Sequence, residues 1–317
     1  MRNPPLENET KFYVVDAFTR SRFQGNPAGV VISPGPLTAQ DMLSIAAELH
    51  LETAFLWPVE SRERARGGSL ASYSICYYTH VARIPLCGHD TIATGIVLAH
   101  RGEIAAAGEN PAVSSRIIFK SDIGDLPIEI MGDGMVGMRQ SLPQYDEPVK
   151  PDAVLAALGI PASKLTDHPC RVVSTGTPFL FVGVDSTRSL DMLTPDMPAL
   201  TQALVNMFGQ RVAGVYVWAD DRIGRTQTIY GRCFAPGAGL PEDPVTGSAS
   251  GALGAHLFDL SLLRGAADGT ATMQTTQGRA MGRTGHVYVT LIAADRRVNS
   301  VSVAGHGVIV GEGTLYV

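Results

Sequence analysis

Hydrophobic residues along the chain come in short runs whose period switches several times between alternation and helical spacing. Residues 11–18 are aromatic and β-branched and predict a strand; a turn over 23–29 leads to a second strand over 30–32. Behind Thr38, a good N-cap, Met42, Ile45, Ala46 and Leu49 recur at helical spacing and predict a helix over 39–49. Further strands are predicted over 51–57, 73–78, 117–120, 126–130 and 135–138. The second half repeats the style, with short helices over 151–158 and 202–208. Its strands fall over 171–174, 179–184, 214–218, 226–234, 272–275, 285–292, 301–303 and 308–310. Strands joined by short turns, with few helices between them, favour a mainly antiparallel α+β architecture. Residues 1–10 read as a loose tail and 62–68 as a charged, mobile loop.

Two stretches depart from this pattern in the same way. Residues 240–257 begin as a turn that sets Glu242 and Asp243 between prolines, pass through Thr246-Gly247-Ser248, and become a helix of small residues. Residues 84–100 run from a hydrophobic lead-in through Cys87-Gly88-His89 into a small, apolar helix. Aligning Gly88 with Gly247 sets His89 opposite Ser248 and Gly95 opposite Gly254. Two such units about 160 residues apart indicate two related halves. A helix N-terminus offers unpaired backbone N–H groups and a positive dipole end, a seat for an anionic ligand group. Facing halves would bring both helix starts to one cleft. The plainer reading of each unit is a capped, buried helix.

Other residues carry chemistry in one reading and none in another. Glu52 enters an apolar run, where a carboxylate is costly unless paired, hydrogen-bonded or used; the alternative is an exposed glutamate at a strand edge. Asn26, before Pro27, is a turn residue or a ligand contact. The strand predicted over 171–174 enters Thr175-Gly176-Thr177-Pro178. The segment 132–137 satisfies GxGxxG, but Met138-Arg139-Gln140-Ser141-Leu142-Pro143 follows it and is not a helix. It reads as a hairpin turn and not as a dinucleotide site.

Composition narrows the classes. A chain of 317 residues, 45% hydrophobic and 17% charged, is long and apolar enough for two folded domains. A net charge of −5 without Lys/Arg runs argues against nucleic acid and anionic membranes as partners. No apolar run approaches the roughly 20 residues of a spanning helix, and residues 1–10 lack a signal-peptide core, so a cytoplasmic protein is expected. The four cysteines, Cys76, Cys87, Cys170 and Cys233, show no CxxC pairing, and His80, His89 and His100 lack HExxH spacing. No disulfide framework and no metal site are indicated.

Phe18, Gln24-Gly25-Asn26-Pro27-Ala28-Gly29, Glu52-Thr53-Ala54-Phe55-Leu56, Leu86-Cys87-Gly88-His89 and Glu242-Asp243-Pro244-Val245-Thr246-Gly247-Ser248 follow one another in order. Gln277-Gly278 and Met281-Gly282-Arg283 come later. Together these motifs resemble the PhzF family of phenazine-biosynthesis isomerases and epimerase-like proteins, from about residue 11 to the C-terminus. The resemblance implies a diaminopimelate-epimerase-like α+β fold: two similar domains, each a curved, mostly antiparallel sheet wrapped around a central helix, with the active site between them. Expected boundaries are 11–125, completed by a C-terminal strand over 305–317, and 126–304.

The resemblance also implies a homodimer, no cofactor and a small-molecule substrate. Glu52 matches the family's proton-shuttling carboxylate, His89 and Asp243 match residues that bind and polarise substrate, and Ser248 completes that cluster. Asn26, Gly88, Asp90, Thr175, Gly176, Thr246 and Gly247 join Ser248 as candidate substrate-binding positions. An isomerase that moves a proton between carbons needs one group acting as base and then acid, and a glutamate suits if a dry cleft raises its pKa.

The two-cysteine racemases of the same fold place a thiol on each side of the substrate carbon. Here Cys87 has Thr246 as its counterpart, which disfavours that chemistry and leaves Cys87 as a small buried residue. Three positions depart from the family pattern: His80, Arg83 and Asp90. An Asp90 side chain at a helix start would repel a substrate carboxylate or cap the helix. The expected function is a cofactor-independent isomerase acting on a carboxylated, amino-acid-like substrate of secondary metabolism, other than the phenazine precursor. An amino-acid racemase or epimerase, or a silent binding protein of the same fold, are the alternatives.

Overall fold

The computed structural model describes residues 9–59, 71–104, 115–223, 226–263, 265 and 268–317. The charged loop expected over 62–68 and residues 1–8 of the expected tail lie outside them. The chain forms two compact units, Met1–Met138 with Ala304–Val317, and Arg139–Val303.

The first unit holds β1 (Glu9–Ala17), β2 (Asn26–Ile32), β3 (Thr53–Pro58), β4 (Ala71–Tyr78), β5 (Arg83–Ile84), β6 (Ser115–Ser121), β7 (Gly124–Ile130) and the start of β8 (Val136–Gln140), whose last two residues belong to the second unit. The chain's last strand, β18 (Gly307–Tyr316), returns to it, and α1 (Ala39–Leu49) and α2 (Gly88–His100) interrupt it. β18 lies antiparallel to β1 and β1 to β2; β2 is parallel to β3, β3 antiparallel to β4, β4 parallel to β6, and β6 antiparallel to β7. Parallel neighbours need a crossover, and α1 and α2 lie in the two crossing connections.

Alternation along the strands decides which helix each side chain meets. Phe12, Val31, Phe55 and Cys76 pack with Met42, Ile45 and Ala46 of α1. Their chain neighbours Tyr13 and Val30, with Val15 and Ala28, pack with Ala93 and Val97 of α2. α2 is small and apolar on every side, and it is buried accordingly, from Asp90 to Leu98 with the exception of Ile96. A Cβ on Gly95 would lie 2.7 Å from Val136 Cγ1 of β8, so this glycine lets helix and strand approach.

The second unit holds β9 (Gln144–Tyr145), α3 (Asp152–Leu158), β10 (Arg171–Ser174), β11 (Pro178–Val184), α4 (Thr187–Asp191), α5 (Met197–Phe208), β12 (Gly214–Ile223) and β13 (Thr226–Ala235). β14 (Leu240–Asp243), α6 (Gly247–Asp259), β15 (Thr270–Gln277), β16 (Gly285–Ala294) and β17 (Arg297–Gly305) follow. From β10 through β11, β12, β13 and β15 to β16 the pairings run antiparallel, parallel, antiparallel, parallel, antiparallel. The same succession runs from β1 through β2, β3, β4 and β6 to β7, so the repeat suggested by the two glycine-to-helix units extends to the sheets. α6 takes the place of α2, buried from Ala249 to Leu257, and a Cβ on Gly254 would lie 2.9 Å from Val289 Cγ1. α3 and α5 cover another face through Val154, Leu158, Leu200 and Leu204, packed with Val172, Leu180, Val182, Val215 and Val217.

Several elements differ from their expected bounds for local reasons. The helix expected over 202–208 starts at Met197, because the Asp196 side chain accepts the Ala199 N–H and a proline sits in the first turn. α4 was not expected; Ser186 caps it by accepting the Ser189 N–H. The second strand starts already at Asn26, which pairs with Ala17 and is therefore a strand residue instead of a turn residue. The third begins at Thr53 and leaves Glu52 just outside it. The GxGxxG segment closes the β7–β8 hairpin, with Ile130 opposite Val136. Among the described residues no helix is long and apolar enough to cross a membrane.

Candidate active site

In the first unit the site grows from the start of α2. Cys87, its N-cap, is extended (φ −131°, ψ 116°) and makes no side-chain cap bond. Glu52 arrives from the connection into β3, its carbonyl accepting the Gly29 N–H at 2.8 Å. The Cys87 thiol donates to Glu52 Oε2 at 3.2 Å and lies 3.4 Å from His89 Nδ1. His89 Nε2 lies 3.4 Å from Glu52 Oε2 and 3.4 Å from Asp90 Oδ1. Glu52, 24% exposed, is the most open of the three polar side chains; His89 is 11% and Asp90 0% exposed.

Burial, reinforced by the negative charges of Asp90 and Glu52, holds the Cys87 thiol well above its ordinary pKa. It is a proton donor to Glu52 and not a nucleophile. This agrees with a small buried residue and adds a contact that no local spacing reveals. Donor atoms of Glu52, Cys87 and His89 lie within 4.8 Å of one another, near enough to surround a cation. Burial likewise pushes the Asp90 carboxyl up to about 7, against the pull of His89 and with the Glu52 charge adding to the rise. Neither oxygen of Asp90 has a hydrogen-bond partner, and it does not cap α2. Of the other departures from the family pattern, His80 is exposed and Arg83 is held by Asp122 at 2.6 Å.

In the second unit the paired acids have separate tasks. Glu242 accepts both arms of the buried Arg232 at 2.9 and 2.8 Å, and that guanidinium also donates to the Leu190 and Leu193 carbonyls. Asp243 turns toward α6, its Oδ2 accepting the Thr246 hydroxyl at 2.6 Å. Gln277, 1% exposed, binds this corner three times. Its amide donates to the Asp243 carbonyl (2.6 Å) and to Thr246 Oγ1 (3.0 Å), and its carbonyl accepts the Thr246 N–H (3.2 Å). Thr246 is thus committed to internal bonds. Gln140 Nε2 donates to the Gly247 carbonyl at 3.0 Å, and the Thr175 hydroxyl lies 2.7 Å from Gln140 Oε1 and 3.2 Å from the Ser248 carbonyl.

The structure therefore brings Glu52, His89 and Asp90 together in one unit, and Asp243, Thr246, Gly247, Ser248 and Thr175 together in the other. Gly88 opens α2 with free space where a side chain would stand, and Gly176 is exposed with φ +139°. Asn26 is buried at the head of β2. Sequence reasoning missed the roles of Gln140, Gln277 and Cys87. Gln277 had a signal, the Gln277-Gly278 pair, but nothing local tells that a glutamine will brace a helix start 31 residues away.

The family described as phenazine biosynthesis-like protein matches residues 15–313. An uncharacterised isomerase of Clostridium acetobutylicum is 32% identical over 313 residues, covering 94% of this chain and 95% of that protein. The trans-2,3-dihydro-3-hydroxyanthranilate isomerase of Pseudomonas aeruginosa is 29% identical over 314 residues, covering 96% and 99%. Among solved structures, the Bacillus anthracis phenazine biosynthesis protein of the PhzF family superposes with a TM-score of 0.80 at 25% identity, covering 98% of this chain and 99% of that one.

Proposed function

The chain belongs to the phenazine biosynthesis-like (PhzC–PhzF) family of isomerases, and from that premise we propose a cofactor-independent proton shift, and so a double-bond shift, in a small carboxylated, amino-acid-like substrate. The observation that carries the reading is Glu52: a partly exposed carboxylate with His89 Nε2 at 3.4 Å and the Cys87 thiol at 3.2 Å. Glu52 takes a proton from one carbon and returns it to another, while His89 and the thiol hold its oxygen in place. A positioned group of this kind contributes about 10²–10⁴-fold in rate. Asp243 binds and polarises substrate in this reading, as its family counterpart suggests, and the N–H groups opening α2 and α6 favour a carboxylate. We further propose a cytoplasmic homodimer.

A two-thiol racemase fits less well, because Cys87 is held protonated and its counterpart Thr246 is bound to Asp243 and Gln277. The substrate is proposed to differ from that of the Pseudomonas aeruginosa relative, since Asp90 stands in contact with His89. The test is proton NMR in D₂O with trans-2,3-dihydro-3-hydroxyanthranilate and then cyclic and unsaturated amino acids, beside Glu52→Gln. Turnover with deuterium incorporation that drops at least about 100-fold in Glu52→Gln is expected for one of the amino-acid-like substrates. Undiminished exchange in the variant would remove Glu52 from the mechanism. Efficient turnover of the dihydro-hydroxyanthranilate would overturn the claim of a different substrate.

A further inference from the structure

We propose that Asp90 is a positioning residue of the proton-transfer cluster, sharing a single proton with His89 and thereby setting the orientation and charge of the imidazole that faces Glu52. Its catalytic consequence rests on the isomerase reading above; the shared proton itself does not.

Three observations lead there. First, a carboxyl in the first turn of a helix usually caps it or reaches water, whereas Asp90 is fully buried, makes no cap bond and has no hydrogen bond at either oxygen. A desolvated carboxylate without a partner is costly, and the cost falls if it keeps a proton or sits beside an imidazolium. Second, His89 Nε2 lies 3.4 Å from Asp90 Oδ1 and equally far from Glu52 Oε2. One ring N–H serves one carboxyl at a time, and a shift of a few tenths of an ångström closes either gap to hydrogen-bond length. Third, the other titratable groups acting on Asp90 keep their protons, the Cys87 thiol weakly opposing the rise of its carboxyl. The Cys87 thiol and the Tyr77 phenol of β4, which is bonded to Thr91 at 2.7 Å, are both held protonated by burial. Glu52, His89 and Asp90 are left to exchange protons.

The exchange balances without any other reactant. Breaking the Asp90 O–H bond and forming the His89 Nε2–H bond turns a neutral pair into an imidazolium–carboxylate pair with the same total charge. In the first form His89 Nε2 is an acceptor, and in the second a donor available to Glu52. A proton drawn from substrate onto Glu52 is thus met by an imidazole whose charge Asp90 governs.

The experiment needs no substrate. In the full-length protein the His89 ring signal, identified by its loss in His89→Gln, and the ¹³C-labelled Asp90 carboxyl are titrated by NMR from pH 4 to 9. Both are expected to report the same transition near neutrality. In Asp90→Asn, of nearly the same shape, the His89 midpoint is expected to fall by about 1–3 pH units, as for loss of a neighbouring opposite charge. An Asp90 carboxyl titrating near its ordinary value, about 4, or a His89 midpoint unmoved in a folded Asp90→Asn protein, overturns the proposal. If Asp90→Asn does not fold, the wild-type titration decides. With an active substrate in hand, Asp90→Asn is expected to move the neutral limb of the kcat/KM profile, which a merely structural residue would leave in place. Absence of turnover would count against the isomerase reading and leave the shared proton standing.

Discussion

At the scale of single residues, two pairs of acids show how surroundings divide similar groups. Glu242 and Asp243 are chain neighbours, yet one is clamped by Arg232 and the other is held at the start of α6. Glu52 and Asp90 lie on either side of His89, yet one is partly open and the other sealed. Gln277 is the brace of the second cluster, and Gln277→Ala leaves the buried Thr246 N–H and Asp243 carbonyl without their partner. Each unsatisfied buried group costs about 1–3 kcal/mol, so a clear fall in the denaturation midpoint is expected. Unchanged urea unfolding would mean that water replaces the side chain.

At the scale of elements, α2 and α6 are the parts on which each half is arranged. Their small residues admit strands on several sides. Gly95 is the tightest such contact in α2. Gly95→Ala is expected to destabilise by about 1–3 kcal/mol through overpacking against Val136, and Val136→Ala beside it should recover part of the loss. Gly88→Ala, in the same helix but facing open space, should cost far less. Equal effects at both positions, in chemical denaturation, would show that the contact with Val136 does not decide, since helix propensity alone favours alanine at either site.

At the scale of the whole molecule, two buried groups oppose each other in the pH dependence of stability. His256, inside α6, is lowered from 6.5 to about 3 by burial and then by Arg171, whose Nε donates to its Nδ1 at 3.2 Å. Below pH 6.5 the unfolded chain binds a proton that the folded one refuses, so stability falls as the pH drops toward 3. Asp90 acts in the reverse sense. Its folded carboxyl, raised to about 7, keeps a proton that the unfolded chain loses above about 4, so its contribution is full at low pH and lost as pH rises to 7. Each group can shift unfolding by up to about 4–5 kcal/mol, at roughly 1.4 kcal/mol per pH unit. His256→Gln, whose carbonyl can still accept from Arg171, should flatten the acid limb. Asp90→Asn should gain on the wild type between pH 4 and 7. Parallel curves for wild type and variant in calorimetry would contradict the corresponding assignment.

The sequence by itself determined the period of nearly every strand and helix, since that pattern is written within ten residues or so. It also determined the repeat, because Cys87-Gly88-His89 and Thr246-Gly247-Ser248 each turn an extended lead-in into a small-residue helix. The α+β, epimerase-like class followed from these and from the ordered motifs, and the family match and solved relatives bear it out. Only the tertiary structure decided what those residues touch. Cys87 meets Glu52 across 35 positions, and Gln277 braces Thr246 across 31. Whether Asp90 caps, faces substrate or is sealed depends on the strands packed around α2. Burial and long-range contact are properties of packed elements, and no local spacing encodes them.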